Sequence, residues 1–389
     1  MKVLRTLSTR SLIVLVAIVA ALAAGGAAIA VAAGGGGGPT PPPKPLPQAL
    51  HDALSASEPD GITARIKFTN KLFPSGALLG QAGSALMSGA SGRLWLTNDG
   101  RGRIELQSDA GDAQIVWNPT DVTVYDASSN TVYHAKLPAH PQDTTGSSGR
   151  TAPSVTEISD FLAKLGQHAD VSGAQPTDVA DQAAYSVSIS PKHDGGLLGS
   201  AELAWDAAQG IPLRVGIYAQ GSSSPVLQIE ATKISYGAVS DSDVNVTPSA
   251  SAKVVDLTAP TPQPGAETKA KPVSGLDAVQ AAAGFNVVAP DTLVGLPRQD
   301  VRLVHKAVVV VYGQGLGAIL VVERQADTSG GQSGGPLSSL PKISLDGLTG
   351  HELATQLGTV IEWQRNGVGF VLAGSLPPAA AETAARDLK

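Results

Sequence analysis

The sequence predicts an α+β protein: a curved antiparallel sheet of about nine or ten strands with helices on one face, followed by a smaller α+β domain. Short runs in which apolar and polar residues alternate recur with turn signals between them, which is typical of an antiparallel meander. A few amphipathic helical patterns interrupt these runs, and two linker-like stretches divide the chain of 389 residues. That length exceeds one ordinary domain and predicts two.

The composition excludes several classes of protein. The net charge is −6, and residues 1–33 hold three basic residues and no acidic ones, so the rest of the chain is more acidic still. This balance argues against a nucleic-acid binder and against attachment to anionic lipid through basic patches. The absence of cysteine excludes disulfides, thiolate metal sites, thiol nucleophiles and the acylated cysteine of a bacterial lipoprotein.

The first 33 residues predict export. Residues 11–33 contain no charge, and as a helix of about 34 Å they could cross a hydrocarbon layer of about 30 Å. Small residues at 28–30 and 30–32 would equally suit cleavage of a signal peptide. Residues 1–33 are therefore either a signal peptide or a transmembrane anchor. The basic residues before the apolar run predict that residues 34–389 lie outside the cytoplasm.

Two linkers define the expected domains. Residues 34–47 hold 11 Gly or Pro out of 14, which predicts a stalk that is flexible at the glycines and extended at the prolines. Residues 251–272 form the second linker, because residues 259–272 show no apolar periodicity. The first domain is therefore expected at residues 48–250 and the second at residues 273–389.

Ten strands are predicted in the first domain. The clearest begins at Ile62, where Ile62, Ile66 and Phe68 alternate with polar residues, as in a half-buried strand. Such a sheet has one apolar face that other elements must cover. The other predicted strands are 93–97, 103–107, 114–117, 122–126, 131–137, 184–190, 201–206, 213–220 and 226–235.

Three segments could cover that face. Residues 46–55 place three apolar side chains on one side of a helix, and Ser154 could cap a second helix that runs to about residue 168. Residues 72–90 are apolar, rich in glycine and almost uncharged. They could form a mobile flap over a cavity or touch a membrane, with Leu78, Leu79, Leu86 and Met87 as its apolar residues; a buried loop of closely packed small residues is the alternative.

The second domain has its own pattern. A short helix at 276–283 and a last helix at 379–388 enclose five predicted strands, the final pair joined at Asn366-Gly367, a strong hairpin signal. A polar stretch at 327–336 predicts a long hairpin loop. The five predicted strands are 301–305, 307–312, 318–324, 358–364 and 368–373.

Catalytic and metal-binding motifs are absent from the sequence. The seven histidines are scattered, without the spacing of a metal site. The Gly-x-Ser-x-Gly match at 331–335 lacks the strand–turn–helix context of a nucleophile, and the glycines at 313–317 join two predicted strands and precede no predicted helix. We therefore expect a protein that is not an enzyme and that needs no cofactor or metal.

Several motifs occur in an order that resembles a known superfamily. They are Gly-Arg-Leu-Trp-Leu at 92–96, Arg-Ile-Glu-Leu at 103–106, Val-Tyr-Asp at 124–126, Asn-Thr-Val-Tyr at 130–133 and Gly-Ile-Pro-Leu-Arg at 210–214. In this order they resemble the LolA/RseB-like proteins of the bacterial envelope, over roughly residues 47–246. The second domain resembles, at 362–367 and 374–377, a small uncharacterised domain attached to exported proteins of this kind. The high content of Ala, Gly and Val resembles proteins of high-GC actinobacteria.

The resemblance implies a half-barrel sheet closed by helices around an apolar cavity. The cavity would hold the acyl chain of a lipid or a lipoprotein, and the protein would stay at the outer face of the cytoplasmic membrane or be secreted after signal cleavage. The alternative is an RseB-like regulatory protein that binds an anti-sigma factor or another envelope protein. The expected lining residues, which could equally be ordinary core, are Ile62, Ile66, Phe68, Leu94, Leu96, Ile104, Leu106, Val122 and Val124.

Overall fold

The fold is known from a computed structural model. It describes residues 38–72, 85–137, 152–167, 169–192, 196–246, 251–256, 273–304, 306–326 and 340–389. These residues form two sheets with helices packed on them, a mixed α+β fold that includes a curled half-barrel sheet. The predicted α+β class is therefore confirmed.

The first sheet has 13 strands, in the order β13-β6-β5-β4-β3-β2-β1-β12-β11-β10-β9-β7, with β8 paired beside β9. Most neighbours are antiparallel, as predicted for a meander. The strands are β1 Gly61–Asn70, β2 Ala90–Thr97, β3 Gly102–Ser108, β4 Gly111–Trp117, β5 Asp121–Asp126, β6 Thr131–Lys136, β7 Ala169–Val171, β8 Gln175–Val179, β9 Gln182–Pro191, β10 Leu198–Asp206, β11 Pro212–Ala219, β12 Pro225–Tyr236 and β13 Lys253–Asp256.

The second sheet has 8 strands, in the order β14-β15-β16-β17-β21-β20-β19-β18. Five of them correspond to predicted strands, and the hairpin at Asn366-Gly367 joins β20 to β21 as expected. The strands are β14 Thr292–Leu293, β15 Leu296–Val304, β16 Ala307–Tyr312, β17 Ile319–Gln325, β18 Lys342–Leu345, β19 Leu348–Ala354, β20 Thr359–Arg365 and β21 Val368–Gly374.

Six helices lie among the described residues, with a short 3-10 turn between β16 and β17. The predicted helix after Ser154 ends at Leu165 and not near residue 168, because Gly166 caps it. In the predicted flap segment 72–90, the described residues 85–90 hold one helical turn, and residues 73–84 lie outside the described residues. The helices are α1 Leu46–Ser55, α2 Ala85–Ser88, α3 Val155–Leu165, α4 Asp241–Val244, α5 Leu276–Ala283 and α6 Pro378–Asp387.

The helices cover two separate areas of the first sheet. Leu50 of α1 and Ile158 of α3 pack against Trp205 and its neighbours on β9 and β10. The single turn of α2 packs through Ala85 on β1, β3 and β4. The inner face of the sheet is therefore covered over β9 and β10 near one end of the strand order, and separately over one end of the middle strands β1, β3 and β4.

No helix in the part of the chain that the structure describes is long and apolar enough to cross a membrane. The predicted signal peptide or anchor, at residues 1–33, lies outside the described residues.

Candidate apolar cavity on the inner face of the first sheet

The register of the strands puts the predicted lining residues on one face. Ile62 is directly opposite Leu96 of β2, and Leu94 is opposite Ile104 of β3. The same row continues through Ile115 of β4 to Val124 of β5. Residues directly opposite one another, and residues two apart on a strand, point to the same side of a sheet. All nine predicted residues therefore share the inner face.

A cavity of about 330 Å³ opens in the middle of this face. Four of the predicted residues line it: Ile62, Ile66, Leu94 and Leu96. The remaining wall is also largely apolar, with charged and polar residues at its edge. The apolar lining residues that the sequence did not single out include Ala64, Trp117, Leu213, Val215, Ile229, Ala231 and Ile234.

A sequence signal existed for some of the missed residues. Ile229 lies opposite Phe68, and Ile234 lies opposite Ala64. Both are on the predicted strand 226–235, whose pairing with β1 brings its apolar side to the same face. That pairing joins two segments more than 150 residues apart in sequence, so it could not be known from alternation within one strand.

The other five predicted residues do not line the cavity. Phe68, Ile104 and Leu106 pack beside it, and Leu106 is 3% exposed in a cluster with Ala85 of α2. Val122 and Val124 lie further along the same face, on β5. A direct role of these five residues in ligand contact stays a prediction.

Part of the predicted flap can be placed. Leu86 packs on the cluster beside the cavity, and its carbonyl oxygen accepts a hydrogen bond of 2.8 Å from Nδ2 of Asn70. Leu78 and Leu79 lie outside the described residues, and only the backbone of Met87, within α2, is described. The helical turn therefore closes the cluster at the Asn70 end of β1. Loops at the other end of the strand form part of the cavity edge.

One charged residue beside the cavity directs its side chain away from it. Arg214 of β11 borders the cavity, but it lies opposite Glu230, which lies opposite Lys67, so its guanidinium is on the outer face of the sheet. There it pairs with Glu202 at 2.7 Å and with Glu230 at 3.3 Å. Burial acts to lower the pKa of Arg214, but the two carboxylates outweigh this and raise it. The charge is therefore neutralised on the outer face, and the wall of the cavity on the inner face stays largely apolar.

No family model and no curated protein matches the sequence. The chain is similar to the complex of MucB with MucA from Pseudomonas aeruginosa, with 14% identity, a TM-score of 0.40, and coverage of 87% of this chain and 95% of that chain. It is also similar to a LolA superfamily protein from Nitrosomonas europaea, with 8% identity, a TM-score of 0.23, and coverage of 52% and 98%. An uncharacterised protein from Thermus thermophilus matches with 11% identity and a TM-score of 0.32, over 54% of this chain and 96% of that chain.

The histidines that the structure describes have structural partners. His51 is 2.8 Å from the carbonyl oxygen of Pro153, and His351 is 3.0 Å from that of Leu340. His134 lies 3.1 Å from Asp121. Within the described ranges, no group of three or more His, Asp or Glu side chains is placed to hold a metal ion. The Gly-x-Ser-x-Gly match at 331–335 lies outside the described residues.

Proposed function

We propose that this protein binds a lipid or an acylated protein outside the cytoplasm and holds an acyl chain in the inner-face cavity. The main support is the cavity itself, about 330 Å³, which lies within the range of about 300–1,000 Å³ found for small-molecule sites. Each methylene group buried there contributes about 0.8 kcal/mol. A chain of several methylene groups would therefore bind without any specific polar contact.

An ordinary core would not leave such a space. Protein interiors pack as densely as organic crystals, with few voids larger than a water molecule. Apolar walls without a ligand lose dispersion contacts and stay exposed to water. A hydrocarbon chain in the space restores those contacts, which supports a ligand over an empty core.

The test is lipid capture by the full-length exported protein. Lipids extracted from the purified protein are identified by mass spectrometry, for wild type and for Leu96→Trp. We expect Leu96→Trp to lose most of the bound lipid and to keep a melting temperature close to that of wild type, because the cavity can accept the added volume. Absence of lipid from the wild-type protein would contradict the proposal.

Leu106→Trp is the matched control. Leu106 lies on the same face, but it is 3% exposed in a cluster with Ala85 and Ala113 and does not line the cavity. Overpacking of a filled core costs about 1–3 kcal/mol, so Leu106→Trp should lower the melting temperature clearly. If both variants lower the melting temperature equally, Leu96 belongs to an ordinary packed core and not to a cavity.

The alternative function, binding of an anti-sigma factor or another envelope protein, predicts a different result. The purified protein would then carry no lipid, and Leu96→Trp would leave capture of the membrane partner unchanged. A protein partner also has support of its own in the charges on the opposite face of the sheet.

A further inference from the structure

Four cationic side chains form a compact group on the outer face of the first sheet. Arg65 of β1 lies directly opposite Lys233 of β12 on one side and directly opposite Arg93 of β2 on the other. Lys67 follows two residues along β1 and shares that face. All four side chains are exposed. We call these four residues the basic row.

Among the described residues, none of the four cations forms an ion pair with a carboxylate, whereas their nearest acidic neighbours do pair with other residues. The register places Glu105 opposite Arg93 and Glu230 opposite Arg214 and Lys67. Glu105 already pairs with Arg103, and Glu230 pairs with Arg214. The two nearest carboxylates by register are therefore engaged elsewhere.

The arrangement is unfavourable for the isolated protein. Side chains directly opposite on antiparallel strands have Cβ atoms about 4.5–5.5 Å apart, and like charges at such positions destabilise a sheet. Arg65 has a like charge on both sides. The chain as a whole has a net charge of −6, whereas these three adjacent strands hold four exposed cations that form no ion pair among the described residues. An anionic partner would relieve the repulsion and gain charge-assisted hydrogen bonds.

We propose that the basic row is the docking site for an acidic polypeptide segment of a partner protein. Guanidinium groups bind carboxylates through two parallel hydrogen bonds, and Arg65 and Arg93 can each offer that geometry. Trp95, two residues from Arg93 on the same face, is half-buried and has the Arg103 guanidinium 5.1 Å from its ring centroid. Trp and Arg are the residues most enriched where protein interfaces gain their affinity.

An acidic polypeptide fits better than an anionic bilayer. Each Lys or Arg near an anionic membrane contributes only about 1 kcal/mol, and the net negative charge of the chain opposes the approach of such a surface. A polypeptide segment contacts only the basic row and its immediate surroundings, where the local charge is positive. The site is on the opposite face from the cavity and does not depend on lipid binding.

The experiment measures binding of a fluorescein-labelled glutamate-rich peptide to the full chain by anisotropy at low salt. We expect the double variant Arg65→Glu/Arg93→Glu to bind at least ten-fold more weakly than wild type. The matched control is Lys306→Glu/Lys342→Glu, which changes the net charge equally at two exposed lysines, one in the turn between β15 and β16 and one on β18. The control should bind within two-fold of wild type, and wild-type binding should weaken as salt rises.

Other results would overturn the proposal. An equal loss in the control variant would mean that only net charge matters, and unchanged binding by the double variant would exclude the basic row. Cosedimentation of wild type with phosphatidylglycerol vesicles, without binding of the peptide, would assign the basic row to a membrane surface.

Arg65→Gln should melt at or above the wild-type temperature because repulsion between the cations is removed, which separates lost binding from lost folding. Lipid recovered from the double variant should equal that of wild type, so this test and the cavity test can fail independently.

Discussion

Glu323 lies fully buried in the core of the second sheet, on β17 between Val308 and Phe370 of the neighbouring strands. Its Oε2 accepts a hydrogen bond of 2.9 Å from the backbone N–H of Val288. Its Oε1 has no partner among the described residues. Burial raises the pKa of the Glu323 carboxyl to about 7, against the smaller opposing effect of that hydrogen bond.

This residue should make stability fall as pH rises towards neutrality. The folded-state pKa of about 7 exceeds the ordinary value of 4.5, so the protonated form is favoured by folding. The contribution is complete below about pH 4.5 and is lost as pH rises through about 7. Glu323→Gln keeps the acceptor for Val288 but cannot ionise. In urea unfolding, the difference in free energy of unfolding between Glu323→Gln and wild type should shift in favour of the variant by on the order of 3 kcal/mol when the pH is raised from 4.5 to 8. An equal difference at both pH values would assign the pH dependence to other groups.

At the same scale, alternation predicted which residues share a face but not which of them touch the cavity. The period of two along a strand fixes the face of Ile62, Leu96 and Leu106 alike. Leu96 lines the cavity, whereas Leu106 is buried. The two differ because α2 packs over the end of the face where Leu106 lies and not over the end where Leu96 lies. That difference depends on long-range packing, which a local pattern does not contain. Glu323 was missed for the same reason, because burial of a lone carboxyl follows from how loops close over the sheet.

The helix α3 illustrates what local chemistry does determine. Ser154 was predicted as its cap, and the Ser154 side chain accepts a hydrogen bond from the Glu157 N–H. Glu157 in turn accepts a bond of 2.8 Å from the Ser154 backbone N–H. This capping box satisfies two backbone donors at the helix start. It fixes the helix whose Ile158 packs with Trp205 on the inner face.

Ser154→Ala should lower the free energy of unfolding by about 1 kcal/mol, the usual contribution of an N-cap side chain. The measurement is the midpoint of urea unfolding, followed by far-ultraviolet circular dichroism. Thr156→Ala is the control, because Thr156 is exposed within the same helix and alanine has the higher helix propensity. We expect the control to be neutral or slightly stabilising. A loss as large in the control would mean that the cap does not hold the helix.

Elements without such local signals were missed. The strands β7, β13 and β14 have two to four residues, too few for an alternation to be recognised. β13 lies within the predicted linker 251–272 and pairs in parallel with β6 at the edge of the sheet. Its partner is more than 100 residues away in sequence, so the pairing is a tertiary effect. The sheet is consequently larger than the predicted nine or ten strands.

Across the whole molecule, the two sheets meet at Ser375, which follows β21. Its carbonyl oxygen accepts a hydrogen bond of 3.1 Å from the Leu197 N–H, and its Oγ accepts one of 3.0 Å from the Leu198 N–H. The Ser375 hydroxyl donates in turn to the carbonyl oxygen of Leu357 at 3.0 Å. The start of β10, in the first sheet, is therefore tied to the end of the second sheet.

Gly196 allows this contact, and its substitution should break it. Its φ of +76° is in the left-handed region, and a Cβ added there would overlap the carbonyl oxygen of Ser375. Gly221 has a similar φ of +71° with open space around it, so Gly221→Ala reports the backbone cost alone, about 1–2 kcal/mol. Gly196→Ala should lower the melting temperature of the full chain by several degrees more than Gly221→Ala does. Besides the backbone cost, it also breaks the hydrogen bonds that Leu197 and Leu198 donate to Ser375. Equal melting temperatures for the two variants would show that the Ser375 contact contributes nothing to the stability of the whole chain.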